Sequence, residues 1–461
     1  MERMSSVDAA WLRMETPTNL MMITAVLWFE APLDWARLKQ VVRERLVERF
    51  PRFRQKVADA SGEWASLHWQ EAAAFDLDAH MGRLTLDAPG DHATLEALVS
   101  QWMSTPLDRS RPLWQLHGLE GFGQGSALLV RIHHSLADGI SLARVLLSLM
   151  DESAEAHFLP ESETARGGAV PGWMKLLRGA RAVVTGSRAA LKRGAELISE
   201  PIQVGDLVRA GARGVSALGR LTVMTSEPPT VLRGELGTQK RATWSAPIAL
   251  EEVKALSEAT GSTVNDVLLA ALTGALRRYL VARGGPVEDL RALVPVNLRS
   301  MDEPLPRELG NRFGLVFLEL PVRREEPHRR LQELKRRMDV LKRSPEAVMT
   351  FGALSVLGMA PSAVERRAMD VVTRRATLVM TNVPGPRHPV YLAGTQLSGL
   401  MFWVPQAGKL GLGVSIFSYA GQVTVGVSVD AALVPDPHRM VEAFHDELRA
   451  LGREDVPPAV R

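Results

Sequence analysis

From Leu128 to Gly139 the chain reads Leu-Leu-Val-Arg-Ile-His-His-Ser-Leu-Ala-Asp-Gly. No other stretch constrains the fold as much. A short apolar run that gives way to small and polar residues fits a buried strand followed by a tight turn. Alternation along that strand puts Val130, Ile132 and His134 on one face and Arg131 and His133 on the other. The two imidazoles therefore point apart and take different tasks. His134 shares the apolar face at the mouth of the strand, where a side chain is held rigidly. Histidine is the side chain best suited to moving protons near neutral pH, which makes His134 the candidate general base. A histidine in such a place is more often an ordinary core or surface residue. A metal site is not expected, because neighbours on a strand diverge and chelate one ion poorly.

Past the turn, Ile140, Val145, Leu146 and Leu149 keep helical spacing. Gly139 is expected to let the chain turn sharply and to bring that helix N-terminus close to the histidines. Similar spacing predicts a helix after Asp34 with Leu38, Val41, Val42 and Leu46 inward. Thr263 and Asp266 have the spacing of a capping box at the head of a long helix, and Asp436-Pro437 opens a last amphipathic helix. Strands are predicted at 292–296, 315–320, 378–381 and 423–429. Helices and strands mix in both halves, so the fold class is α/β or α+β. At 461 residues the chain exceeds one ordinary core. The expected division is an N-terminal domain over 1–150, a Gly/Ala-rich crossover over 151–235 and a C-terminal domain over 236–461. One His-His pair implies one active site.

Cysteine is absent, which excludes disulfides, thiolate metal sites and a cysteine nucleophile and fits a reducing compartment. No signal-peptide core opens the sequence, and the apolar stretch 20–29 is too short to span a bilayer. A cytoplasmic location is therefore expected. Ten Lys/Arg against three acidic residues lie between Arg166 and Arg220. This segment suits either an amphipathic surface lying on an anionic membrane or lipid droplet, or a solvated interdomain connection. No nucleic-acid-binding motif accompanies the charges, so no nucleic-acid partner is expected. No Walker loop or dinucleotide fingerprint occurs either.

The pattern His-His-x-x-x-Asp-Gly resembles the signature of the coenzyme A-dependent acyltransferase superfamily, which includes chloramphenicol acetyltransferase-like enzymes and peptide-synthetase condensation domains. Further stretches are similar to the bacterial wax ester synthase/diacylglycerol acyltransferase family: Ser5-Ser-Val-Asp8-Ala-Ala-Trp11, Glu15 to Ile23, Arg111-Pro-Leu-Trp114, Thr263-Val-Asn265-Asp266, Val294 to Arg299, Gly310-Asn311-Arg-Phe-Gly314 and Thr381-Asn382-Val-Pro-Gly-Pro386. They follow the family's order over nearly the whole chain. One departure is Met21-Met22-Ile23-Thr24, where many members have Met-His-Val-Gly.

The resemblance implies two chloramphenicol acetyltransferase-like domains with the active site at their interface. It implies transfer of a long-chain acyl group from fatty acyl-CoA to a long-chain alcohol or diacylglycerol, with no cofactor. His134 would take the alcohol proton, and His133 would pack locally with a smaller role. Asp138 would form a structural salt bridge with an arginine, for which Arg299 is the candidate, and Gly139 completes the motif. Asn265, in the first turn of its helix, would steady an oxyanion or place the histidine, or else only help cap the helix. Asn382 to Pro386 is expected to be architectural, or to order the crossover loop that closes the site. Two other readings stay open: an enzyme taking its acyl group from a carrier protein, and a lipid-binding protein without activity.

Overall fold

The computed structural model describes residues 2–58, 67–155, 226–298, 305–343, 350 and 362–453. The basic stretch 166–220 and Arg299 lie outside the described residues, as does most of the expected crossover.

In the first half, apolar alternation produces β1 (Met22–Phe29), β2 (Met81–Thr85), β3 (Trp114–Phe122) and β4 (Gly125–His133). The second half contributes β5 (Lys240–Trp244), β6 (Leu290–Asn297), β7 (Phe313–Leu320), β8 (Leu378–Pro384), β9 (Tyr391–Leu392), β10 (Thr395–Trp403), β11 (Leu412–Tyr419) and β12 (Gln422–Asp430). The four strands predicted in this half are β6, β7, β8 and β12. The helices include α1 (Ser6–Arg13), α2 (Trp35–Val41), α3 (His92–Met103), α4 (Gly139–Leu147), α5 (Val264–Ala282) and α6 (His438–Arg453). Asp34 caps α2 and the Thr263–Asp266 capping box opens α5, both as expected. Met440, Val441, Phe444 and Leu448 are the buried face of α6.

Two large mixed sheets result. The first runs β9-β10-β1-β4-β3-β2, antiparallel throughout except for the parallel pair β3/β2. The second runs β7-β6-β8-β11-β12-β5, and Ile248–Ala249 adds a short seventh strand on β12. Its β6/β8 and β8/β11 pairs are parallel.

The division of the chain into consecutive halves does not carry over to the sheets. The β9–β10 hairpin, at 391–403, belongs to the first sheet, where β10 pairs with β1 from Leu397 opposite Phe29 to Trp403 opposite Thr24. An apolar strand such as β1 cannot leave a long edge unpaired, and the hairpin satisfies it. The hydrophobic core follows the same logic. One cluster lies wholly in the second half beneath α5 and α6, whereas the others mix the halves, as where Val26 and Leu129 pack with Trp244, Met401 and Trp403.

Candidate active site

His134 is the first residue beyond β4, and its main chain is tied on both sides. Its N–H donates to the Met21 carbonyl at 2.7 Å. Its own carbonyl accepts from Asn311 Nδ2 at 2.8 Å, a bond that reaches it from the second half of the chain. The imidazole is sandwiched between aromatic rings, stacked on Trp11 of α1 at 4.1 Å and meeting Phe313 of β7 edge-on at 5.7 Å. Nδ1 is buried without a hydrogen-bond partner, which leaves Nε2 as the nitrogen open to the cleft. Burial, with His133 as its neighbour, pushes the His134 pKa down to about 3, so the ring is neutral at physiological pH.

The face alternation read from the sequence holds. Val130 and Ile132 line an apolar cavity, His134 lines the cleft, and Arg131 turns the other way to lie over Trp102 at 4.9 Å. His133 also turns away. Its Nε2 meets Glu15 Oε2 at 2.9 Å, and its Nδ1 accepts the Ser135 N–H at 3.1 Å. Burial pushes His133 down, against the pull of Glu15. Burial pushes Glu15 up, but the bonds from His133 and Arg109 outweigh it and leave the carboxyl below its ordinary range. The pair is therefore a carboxylate accepting from a neutral imidazole.

Asp138 uses both carboxylate oxygens. Oδ1 caps α4 by accepting the Ser141 N–H at 2.7 Å, and Oδ2 accepts the backbone N–H of Arg312 at 3.1 Å. One partner of Asp138 is thus a main-chain amide of the second half; Arg299, the expected arginine, lies outside the described residues. Gly139 is not a turn glycine: it is the first residue of α4 and is absent from the residues with positive φ. What it provides is room, since a Cβ there would stand 3.2 Å from Val404 Cγ1.

The cleft beside His134 is walled by both halves, with Trp11, Asp138 and Gly139 on one side and Leu293, Phe313 and Asn382 on the other. An apolar cavity adjoins it, sharing Gly139 and Phe402 as walls. Among the described residues no group of His, Asp and Glu side chains is arranged to hold a metal ion. What this arrangement can do is accept a proton at Nε2 from a hydroxyl held in an apolar, water-poor cleft.

The family models match in two pieces. Residues 4–268 match the wax ester synthase/diacylglycerol acyltransferase catalytic domain, and residues 309–452 match the C-terminal domain of the same family. The chain belongs to this family. A putative diacylglycerol O-acyltransferase of Mycobacterium tuberculosis strain H37Rv is 30% identical, over 98% of this chain and 97% of that protein. The wax ester synthase/diacylglycerol acyltransferase from Marinobacter aquaeolei VT8 superposes with a TM-score of 0.71 at 24% identity, covering 98% of both chains. The first condensation domain of the calcium-dependent antibiotic synthetase shares the fold at a TM-score of 0.61 and 17% identity, over 100% of this chain and 97% of that one.

Within the family's framework the remaining expected residues fall as follows. Asn265 lies in the first turn of α5, and its Oδ1 accepts from Asn382 Nδ2 at 2.6 Å. Asn382, and not Asn265, is the member of that pair that walls the cleft. Asn382 also sits within β8. Asp8, Trp11, Glu15, Asn311 and Phe313 also belong to the site, and the sequence alone assigns them no role. Asp8 and Glu15 lie far along the chain from their partners, Glu15 118 residues from His133 and Asp8 303 residues from Asn311. No local pattern marks Asn311 and Phe313 either, because their contacts with His134 bridge more than 170 residues.

Proposed function

We propose that this chain, an O-acyltransferase of the wax ester synthase/diacylglycerol acyltransferase family, moves a long-chain acyl group from fatty acyl-CoA to the hydroxyl of a fatty alcohol or diacylglycerol, with His134 as general base. The observation that carries this reading is the neutral His134 ring with Nε2 open to a largely apolar cleft between the two halves.

The alcohol O–H donates to Nε2 as its oxygen attacks the thioester carbonyl. A carbon–oxygen bond forms, the carbon–sulfur bond breaks, and the imidazolium returns its proton to the departing CoA thiolate. Both reactants are held at once, so positioning supplies much of the rate and no acyl-enzyme is formed. The balance of atoms calls for no cofactor. The adjoining apolar cavity suits one alkyl chain, since its walls carry no polar side chain. Asp138 serves geometry by capping α4 and holding Arg312. His133 serves it by bracing the Ser135 turn, and the Asn265–Asn382 pair borders the reacting carbonyl. Among the described residues no helix is long and apolar enough to cross a membrane. A cytoplasmic enzyme resting peripherally on membrane or lipid inclusions, through the basic stretch 166–220, fits the water-insoluble acceptors.

The test is CoA release from palmitoyl-CoA with hexadecanol or a diacylglycerol as acceptor. A thiol reagent reads it cleanly because the protein has no cysteine. Acceptor-dependent release that falls about 10²–10⁴-fold in a folded His134→Ala variant is expected. Release that survives this substitution would remove His134 from the mechanism.

A further inference from the structure

A general base must present a lone pair at the nitrogen that faces its substrate. For His134 that nitrogen is Nε2, so the ring proton must sit on Nδ1. Nδ1 is buried and has no hydrogen-bond partner in this structure. A second buried atom without a partner lies on the residue that contacts His134 from the other half, Asn311 Oδ1. The Asn311 amide is not free to be read either way round. Nδ2 donates to Asp8 Oδ1 at 2.8 Å and to the His134 carbonyl at 2.8 Å, which uses both of its hydrogens. The Asn311 backbone N–H also donates to Asp8 Oδ1, at 3.0 Å. Oδ1 is thus a fixed acceptor without a donor, on a side chain already bonded to a residue that holds a donor without an acceptor.

We propose that Asn311 is the positioning residue of His134, its Oδ1 accepting the Nδ1 proton when the imidazolium forms, with Asp8 holding the amide in place. This rests on His134 being the base. The other acceptor near the ring is the His134 carbonyl, which already accepts from Asn311 Nδ2 and keeps one lone pair. The titratable groups around the ring are His133 on its own strand, Asp8 on α1 and Asp138 at the start of α4. None of them bonds to the ring in this structure, so a neutral amide takes the place that a carboxylate fills in a serine-protease triad. Because Asn311 and Asp8 come from opposite halves, the base is oriented only when the halves are docked.

Two measurements test this. Nitrogen-15 shifts of labelled histidine rings report the His134 tautomer without any turnover, so they stand even if the acyl-transfer reading fails. The wild type is expected in the Nδ1–H form and Asn311→Leu in a mixture. An Nε2–H ring in the wild type, or an unchanged tautomer in Asn311→Leu, would overturn the proposal. The second variant exchanges the pair, Asp8→Asn with Asn311→Asp, which keeps a hydrogen bond between the two residues and turns a carboxylate toward Nδ1. The acid limb of its kcat profile should then move up by about one to three pH units. A fall in kcat with the limb unmoved would mean that Asn311 only braces the backbone.

Discussion

A histidine buried in an apolar cleft faces two opposed demands. It must stay neutral to act as a base, and it must accept charge in the transition state. Burial serves the first demand and works against the second, which is why the groups around the Nδ1 side matter. The same burial ties stability to pH. His134 in the folded chain is pushed down to about 3 and His133 is also pushed down, below an ordinary value of 6.5. Below pH 6.5 the unfolded chain binds protons that the folded chain refuses. Stability is therefore complete above about pH 6.5 and is lost as the pH falls through the folded values. Each such histidine adds a slope of up to about 1.4 kcal/mol per pH unit. Urea midpoints measured from pH 7 to pH 5 should drop in the wild type and drop less steeply in His134→Gln. Equal slopes in the two proteins would mean that His134 does not resist protonation in the folded state.

At the scale of the element, capping chemistry decides where both site helices begin. Asp138 starts α4 beside the histidines, and Asp266 starts α5 beside Asn265. Asp266 Oδ2 accepts the Thr263 N–H at 3.0 Å and the Thr263 hydroxyl at 2.8 Å in a nearly sealed position. Removing it with Asp266→Ala should cost about 1–2 kcal/mol by urea denaturation. Asp34→Ala at α2 removes a cap at an exposed site and should cost less. Compared at a temperature where both variants are fully folded, Asp266→Ala should lower kcat and Asp34→Ala should not, because Asn265 stands in the first turn of α5 and holds Asn382 at the cleft. Equal activities would detach the Asn pair from the chemistry. Caps, the strand at 125–133 and the face of each histidine were legible because their causes lie within a few residues. Two features were not. The strand β10 is not among those predicted from periodicity, and nothing local says which sheet it joins. The Asp8–Asn311 bond joins residues 303 apart, and no local pattern encodes it. Gly139 shows a third limit: sequence suggests a turn wherever glycine stands, whereas here it makes space for Val404.

At the scale of the molecule, the site belongs to neither half. Phe402 on β10 walls both cavities, yet β10 comes from the second half and lies in the first half's sheet. Asp138 holds Arg312 across the same boundary, and Asn311 reaches back to Asp8 and His134. A chain of this size ordinarily unfolds in stages, domain by domain. Here the first sheet loses two of its six strands if the second half unfolds, and β1 is left with an open edge. Unfolding should therefore be one transition, with intrinsic tryptophan fluorescence and acyl-transfer activity lost together. Met401 offers a probe, since it is fully buried on β10 within the cluster that joins Val26 and Leu129 to Trp244. Met401→Ala should destabilise the protein by about 2–5 kcal/mol and shift both signals by the same amount. Had the halves been independent, activity would be lost at lower urea than the fluorescence of the more stable half. Two separated midpoints would refute the shared architecture, and with it the idea that the His134 site is assembled only by docking.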